Sequence, residues 1–404
     1  MKKKKKWVRP RHKVVKWLLR GVFGLACRIR YHVKLTPFRE QKGKQFLILF
    51  NHQTPFDQFF VSVTFKKPVY FVGTEDIFSL GWLSRALKYL VAPIPIKKQT
   101  ADMSAVMNCL RVAKEGGTIA LAPEGNRTYT GRTEYMNPAI ATLARKLALP
   151  VALYRIEGGY GVQPRWANTR RRGRMRAYVS EVITPEEMKE MTDDALLARI
   201  RAGLFVDDRR EEGAFRHARR AEYLERALYV CPTCGLTRFH SDKNTLTCTS
   251  CGMRLTYTEH LTFEREDGKK PPFADVASFY DYQSEFMRNF DPTAEPDRLF
   301  YEDAVTLSSV VVCRKKRLIE KRAVARLYGD RITVSAGDVL ILSLPFSEIS
   351  AAAVLGRQKI NLYHEKDVWQ LAGDVRFCGL KYVNFYYRYR NVVKGEKDGS
   401  FLGL

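Results

Sequence analysis

Hydrophobic and polar positions alternate between two periods along the first half of the chain. Short apolar runs, FLILF (46–50), VYFV (69–72), TIALA (118–122) and PVALY (150–154), have the length and composition of buried strands. Between them, IFSLGWLSRALKYLV, ADMSAVMNCLRVAKEGG and NPAIATLARKLAL place apolar residues three and four apart, as one helix face requires, and Gly116 and Gly117 close the middle one. Strands alternating with helices predict an α/β layer with a mostly parallel sheet. Thr184 and Pro185 read as cap and first turn of a further helix, opening a charged helical stretch at roughly 186–228. From 301 to 377 the pattern changes to short β-type runs, AVTLSSVVVC, RITVSA, VLILSLPF, ISAAAVL, KINLYH and VWQLAG. Gly329-Asp330, Gly337-Asp338, Gly356 and Gly373-Asp374 divide them, which predicts a small antiparallel barrel or sandwich. LKYVNFYYRYRNVV then suits a closing helix, though its aromatics also suit a strand.

The first 34 residues fit neither pattern. A basic run precedes apolar residues, yet Lys16 and Arg20 interrupt them, and the longest uncharged run, 21–27, is far short of the ~20 residues of a spanning helix. At helical spacing Lys13, Lys16 and Arg20 share one side, while Val14, Val15, Leu18, Leu19, Val22, Phe23 and Leu25 cover the rest and Trp7 and Trp17 suit an interface. This predicts an interfacial helix with a polybasic lead; a surface helix packed on its own domain is the alternative. The 404 residues, 45% apolar, supply two or three cores and exclude disorder as the default. Lys and Arg number 69 against 43 Asp and Glu, and residues 1–44 hold 16 of the bases with Glu40 as their one acid. More than half of the +26 balance therefore lies beside the amphipathic segment, pointing to an anionic partner there.

Two polar segments follow predicted strands, where an α/β sheet presents ligand groups. After FLILF comes Asn51-His52-Gln53-Thr54-Pro55-Phe56-Asp57; after TIALA comes Pro123-Glu124-Gly125-Asn126-Arg127-Thr128. A turn at Thr54-Pro55 would fold the Asp57 carboxylate back onto His52, fixing the tautomer and leaving the other ring nitrogen to take a proton. The bland alternative makes Thr54 a helix cap and Asp57 the acid of a capping box, with Pro-Glu-Gly-x-Arg a turn holding an ion pair.

In this order the two segments resemble the glycerolipid acyltransferase family, whose lysophosphatidic acid acyltransferases carry Asn-His-x4-Asp and, downstream, Phe-Pro-Glu-Gly-Thr-Arg-Ser. The resemblance covers residues 30 to 215; Ala122 and Asn126 stand where the family has Phe and Thr. It implies His52 as general base, Asp57 as its orienting carboxylate, and Glu124, Gly125 and Arg127 as the acceptor-binding segment. Lys97 and Lys98, after Ile94-Pro95-Ile96, occupy the position of a further phosphate-binding arginine. The implied reaction moves a fatty acyl group from acyl-CoA or acyl-ACP (acyl carrier protein) to the hydroxyl of a lysophospholipid, with lysophosphatidic acid giving phosphatidic acid the first choice. It places the chain on an anionic membrane surface at the cytoplasmic face, with no nucleic acid expected.

Cys231-x2-Cys234 and Cys248-x2-Cys251, thirteen residues apart and each followed by Gly, have the spacing of a four-cysteine structural zinc ribbon; two disulfides are the alternative. Residues 301–404 look like a pleckstrin-homology or GRAM-type barrel. The expected layout is a membrane-associating segment (1–34), an acyltransferase domain (35–215), a helical lead with the zinc ribbon (216–262), a linker (263–300) and the β-rich domain (301–404). Two rivals remain: a zinc-ribbon nucleic-acid-binding protein, built on the ribbon and the six arginines of 165–176, and a non-catalytic lipid-binding scaffold.

Overall fold

The computed structural model describes residues 6–39, 43–74, 82–96, 103–133, 135–210, 213–310 and 316–396. The chain forms two compact units: residues 1–164 with 171–215, and residues 165–170 with 216–404.

The first unit is a seven-stranded mixed sheet flanked by helices. In chain order its elements are α1 (Pro10–Tyr31), β1 (Val33–Leu35), β2 (Leu47–Phe50), α2 (Asp57–Thr64), β3 (Val69–Thr74), α3 (Trp82–Leu90), β4 (Ile94–Ile96), α4 (Met103–Lys114), β5 (Thr118–Leu121), α5 (Ala139–Leu147), β6 (Val151–Glu157), α6 (Gly159–Val162), β7 (Met175–Ile183), α7 (Pro185–Glu190) and α8 (Asp193–Leu204). The strand order is β1-β7-β6-β2-β5-β3-β4. Strands β2 to β6 run parallel and β7 returns antiparallel to β6. The four apolar runs are thus neighbouring central strands, and Leu47, Ile48, Leu49, Ile119, Ala120 and Val151 to Tyr154 are fully buried. That is the burial expected of parallel strands covered on both faces. Thr184 caps α7 through a capping box with Glu187. The charged stretch beyond α8 is not one helix: α8 ends at Leu204, and the chain folds back so that Arg132 bridges Asp207.

Helix α1 lies along α2. Its Tyr31 ring packs on Phe56 and Phe60, Phe23 on Phe59, Lys16 Nζ donates to Ser62 Oγ (2.9 Å) and Arg20 to the Val63 carbonyl (3.1 Å). Of the predicted basic side only Lys16 turns inward and is buried; Lys13 and Arg20 stay exposed. The outward stripe is apolar: Val14, Trp17, Leu18, Val22, Leu25 and Ile29 are each 57–76% exposed. The usual surface helix instead turns its apolar stripe toward the core.

Burial, with Arg20 nearby as the second cause, pulls the Lys16 amine down to about 7. Between that value and the ordinary lysine range the unfolded chain binds the extra proton, so this group makes stability rise with pH across the window and imposes a constant penalty below it. Lys16→Met should stabilise the protein by about 2 kcal/mol at pH 7, with the gain shrinking by pH 9. Thermal midpoints of both proteins at the two pH values measure this; a gap that does not change with pH would rule out the buried amine as its origin.

The second unit holds three antiparallel sheets, of two, four and seven strands. A ribbon built on the pair β8 (Val230–Cys231) and β9 (Gly235–Leu236) adjoins β10 (Phe239–Asp242), β11 (Thr245–Cys248), β12 (Arg254–Tyr257) and β13 (Phe263–Glu264). Helix α9 (Val276–Asn289), opened by the Asp275–Ser278 capping box, occupies much of the stretch expected as a linker. Then β14 (Tyr301–Ser309), β15 (Arg317–Leu327), β16 (Arg331–Ala336), β17 (Val339–Pro345), β18 (Ile349–Leu355), β19 (Lys359–His364) and β20 (Asp367–Gly373) form a half-barrel, followed by α10 (Gly379–Lys394). Within this unit Asp303 of β14 receives Lys381 Nζ (2.6 Å), Arg238 Nη1 (2.9 Å) and the Tyr382 hydroxyl (2.8 Å), joining α10 and the ribbon to the half-barrel.

Candidate active site

The register of the central strands sets the site. Leu49 of β2 pairs with Leu121 of β5, so His52 and Glu124, each three residues further on, emerge at the same level beyond the strand ends. Asn51 prolongs the sheet with its side chain: its amide donates to the Ile156 carbonyl and its oxygen accepts from the Ile156 N–H, both at 2.7 Å. The last residue before His52 is therefore fixed to β6 as firmly as a strand residue.

Helix α2 begins at Asp57, and the chain between it and β2 turns back on the Asp57 side chain. The fully buried carboxylate accepts from the N–H groups of Gln53 (2.7 Å) and Thr54 (3.0 Å) and from the Thr54 hydroxyl (2.7 Å). It also lies 2.8 Å from His52 Nδ1. Asp57 thus closes the turn and holds the imidazole as well; the helix N-cap is Phe56, without a side-chain cap, so Thr54 is not the cap of a capping box. The His52 side chain is 26% exposed and its ring stands edge-on to Phe50, so it is held from within and open to one side. With Nδ1 committed to a carboxylate, Nε2 is the nitrogen that can take a proton, and Asp57 stabilises the imidazolium that results.

The second motif segment is stitched to the first. The His52 N–H donates to Glu124 Oε1 (2.7 Å), and the Thr128 N–H donates to the His52 carbonyl (3.2 Å). Between these two anchors lie Gly125, exposed and at φ 70°, a conformation glycine adopts without a Cβ penalty, and half-buried Arg127. Lys97 and Lys98 lie outside the described residues. The thiols nearest this sheet do not supply a nucleophile: Cys27 and Cys109 are buried, and burial pushes each up to about 11.

Three residues that sequence reasoning missed complete the surroundings. Gln53 and Thr54 present the N–H groups that hold Asp57; their position inside the motif was the available signal. Asp208, about 150 residues downstream in a charged stretch, had none.

In the second unit Cys231, Cys234, Cys248 and Cys251 are free thiols whose sulfurs all lie within 4.8 Å of one another. A tetrahedral zinc with ~2.3 Å bonds sets sulfur–sulfur edges of about 3.8 Å. Cys231–Cys251 measures 3.7 Å and Cys234–Cys248 4.0 Å, so the cluster fits such an ion.

Residues 31–156 match the Acyltransferase family model, a span that contains His52, Asp57 and the Glu124–Arg127 segment. Among solved structures the chain is similar to the 1-acyl-sn-glycerophosphate (LPA) acyltransferase PlsC from Thermotoga maritima, at 19% identity and a TM-score of 0.40, over 49% of this chain and 80% of that one. No helix among the described residues is long and apolar enough to cross a membrane.

Proposed function

We propose that this protein is a membrane-associated acyltransferase that moves a fatty acyl group from an acyl thioester to the hydroxyl of a lysophospholipid, lysophosphatidic acid being the first candidate. The observation that carries the reading is the His52–Asp57 pair, open on one side and bonded through its backbone to the Glu124–Arg127 segment. In the proposed reaction His52 Nε2 removes the acceptor hydroxyl proton as that oxygen attacks the thioester carbonyl. The tetrahedral intermediate collapses, the carbon–sulfur bond breaks, and the thiolate departs or recovers the proton from His52. A thiol with a pKa near ~8.5 leaves readily, so a positioned base and positioned reactants suffice. Arg127 would bind the acceptor phosphate through its guanidinium fork.

The outward stripe of α1 supports the membrane half of the proposal. Six apolar side chains at successive turns face away from the domain, with Lys13 and Arg28 exposed among them and the basic N-terminal run just before. Such a face inserts shallowly into an anionic leaflet while the bases contact headgroups. The reading places the enzyme at the cytoplasmic face, in keeping with free thiols. In the second unit the four-cysteine cluster would hold a structural zinc.

The test uses purified full-length protein, anionic vesicles and a panel of lysophospholipids, with acyl-CoA and acyl-ACP as separate donors and products resolved by chain and headgroup. Phosphatidic acid from lysophosphatidic acid is the expected product; no transfer to any acceptor from either donor refutes the assignment. In the same assay Trp17→Glu with Leu18→Glu should lower vesicle binding by about 100-fold, since each buried side chain of this size contributes roughly 1.5–3 kcal/mol. Transfer to a dispersed short-chain acceptor should be retained.

A further inference from the structure

We propose that Asp208, remote from both motif segments in sequence, is a positioning residue that locks the dyad turn and the Glu124–Arg127 segment into one register; this rests on the acyltransferase reading. Asp208 is 1% exposed. Its carboxylate accepts the N–H groups of Gly158 (2.8 Å), Tyr160 (2.8 Å) and Gly161 (3.2 Å), pinning the start of α6. The Tyr160 N–H is shared with Gln53 Oε1 (3.0 Å), and the Gln53 N–H donates to the Asp57 oxygen that faces His52. One path thus runs from Asp208 through α6 and Gln53 to the imidazole.

A second path reaches the same residue from the other side. The Asp208 N–H donates to the Gly131 carbonyl (3.0 Å), the Gly131 N–H to Thr128 Oγ1 (3.0 Å), and the Thr128 N–H to the His52 carbonyl. The two paths close a ring around the site. Steric fit tightens it: a Cβ on Gly159 would lie 2.5 Å from Gln53 Cβ, and one on Gly131 would lie 2.5 Å from the Tyr160 ring. Backbone packed this closely cannot shift at one point without moving its neighbours. Placement errors of about 1 Å at a reacting group cost on the order of 100-fold in rate, so the ring bears on turnover more than on binding.

The test compares Asp208→Asn, which puts an amide N–H2 among three donors, with Gln53→Met, which removes the other acceptor of the shared Tyr160 N–H at similar length. Each variant should lower kcat by 10- to 100-fold with KM for donor and acceptor within about two-fold of wild type. Because both act through the Tyr160 N–H, the double variant should be no slower than the slower single one. Wild-type kcat in either folded variant, a change in KM in place of kcat, or losses that multiply in the double variant overturns the proposal. If Asp208→Asn does not fold, Gln53→Met decides alone by its kcat and KM. A wild-type chain without transfer on any acceptor removes the reaction itself, and that outcome is distinct from an active wild type with indifferent variants.

Discussion

His52→Ala should lower acyl transfer by 10²- to 10⁴-fold, the range that a positioned general base contributes, while vesicle binding and thermal midpoint stay near wild type. The side chain is partly exposed and its ring bonds to Asp57, whose carboxylate keeps its bonds to Gln53 and Thr54 when the ring is removed. Asp57→Asn should match the loss in kcat and add a drop in stability. Its amide would put an N–H2 group where the carboxylate receives several donors, leaving buried groups unpaired at about 1–3 kcal/mol. The contrast between the two variants is informative: equal losses of rate with unequal losses of stability separate a catalytic imidazole from a turn-closing acid. Retained transfer in His52→Ala would remove the base from the mechanism, and a rate lost only in proportion to lost fold would reduce Asp57 to a structural role. A nucleic-acid binder or an idle lipid scaffold would be indifferent to His52→Ala in its own binding assay.

What could be read from the chain follows from how local each determinant is. The central strands were legible because FLILF, TIALA and PVALY are buried on both faces and so are apolar throughout. β15 was not: RLIEKRAVARL carries charged residues along its exposed positions and buries only Ala323, Ala325 and Leu327, so its inward face is too small to stand out. The dyad turn was legible for the same local reason, its proline and its five-residue spacing lying in one stretch. That Glu124 meets the His52 N–H was not, because it depends on β2 and β5 being neighbours in register. Asp208 illustrates the limit: its partners are backbone groups of residues 131 and 158–161, and backbone donors leave no trace in side-chain identity. Lys16 shows a different failure, since a lysine at helical spacing reads as solvated until the α2 surface beside it is known.

Removing metal from the four-cysteine cluster should disrupt far more of the second unit than the ribbon. Structural zinc in small ribbons contributes an apparent ~10–16 kcal/mol of folding free energy, and here the ribbon is built into its surroundings. The Tyr301 hydroxyl of β14 donates to the carbonyls of Tyr229 and Thr237, on either side of the first cysteine pair, and Gln283 of α9 accepts the Tyr229 N–H. Arg238, next to Thr237, reaches Asp303, the same carboxylate that Lys381 of α10 approaches. Without an ion, four thiolates within 4.8 Å repel one another or stay protonated, and the knuckles that position Tyr229 and Arg238 lose their centre. Chelation, or Cys248→Ser, should therefore lower the thermal midpoint of this unit by more than about 10 °C, since a loss of roughly 4–5 kcal/mol moves a domain of this size that far. Elemental analysis should find one zinc per chain before treatment and none after. Amide exchange should accelerate in β14 and α10 as well as in β10 to β12. Exchange confined to the ribbon would show that the Asp303 cluster holds the half-barrel without help from the metal, and a full-length chain that purifies with four free thiols, no metal and an unchanged midpoint would eliminate the ion altogether.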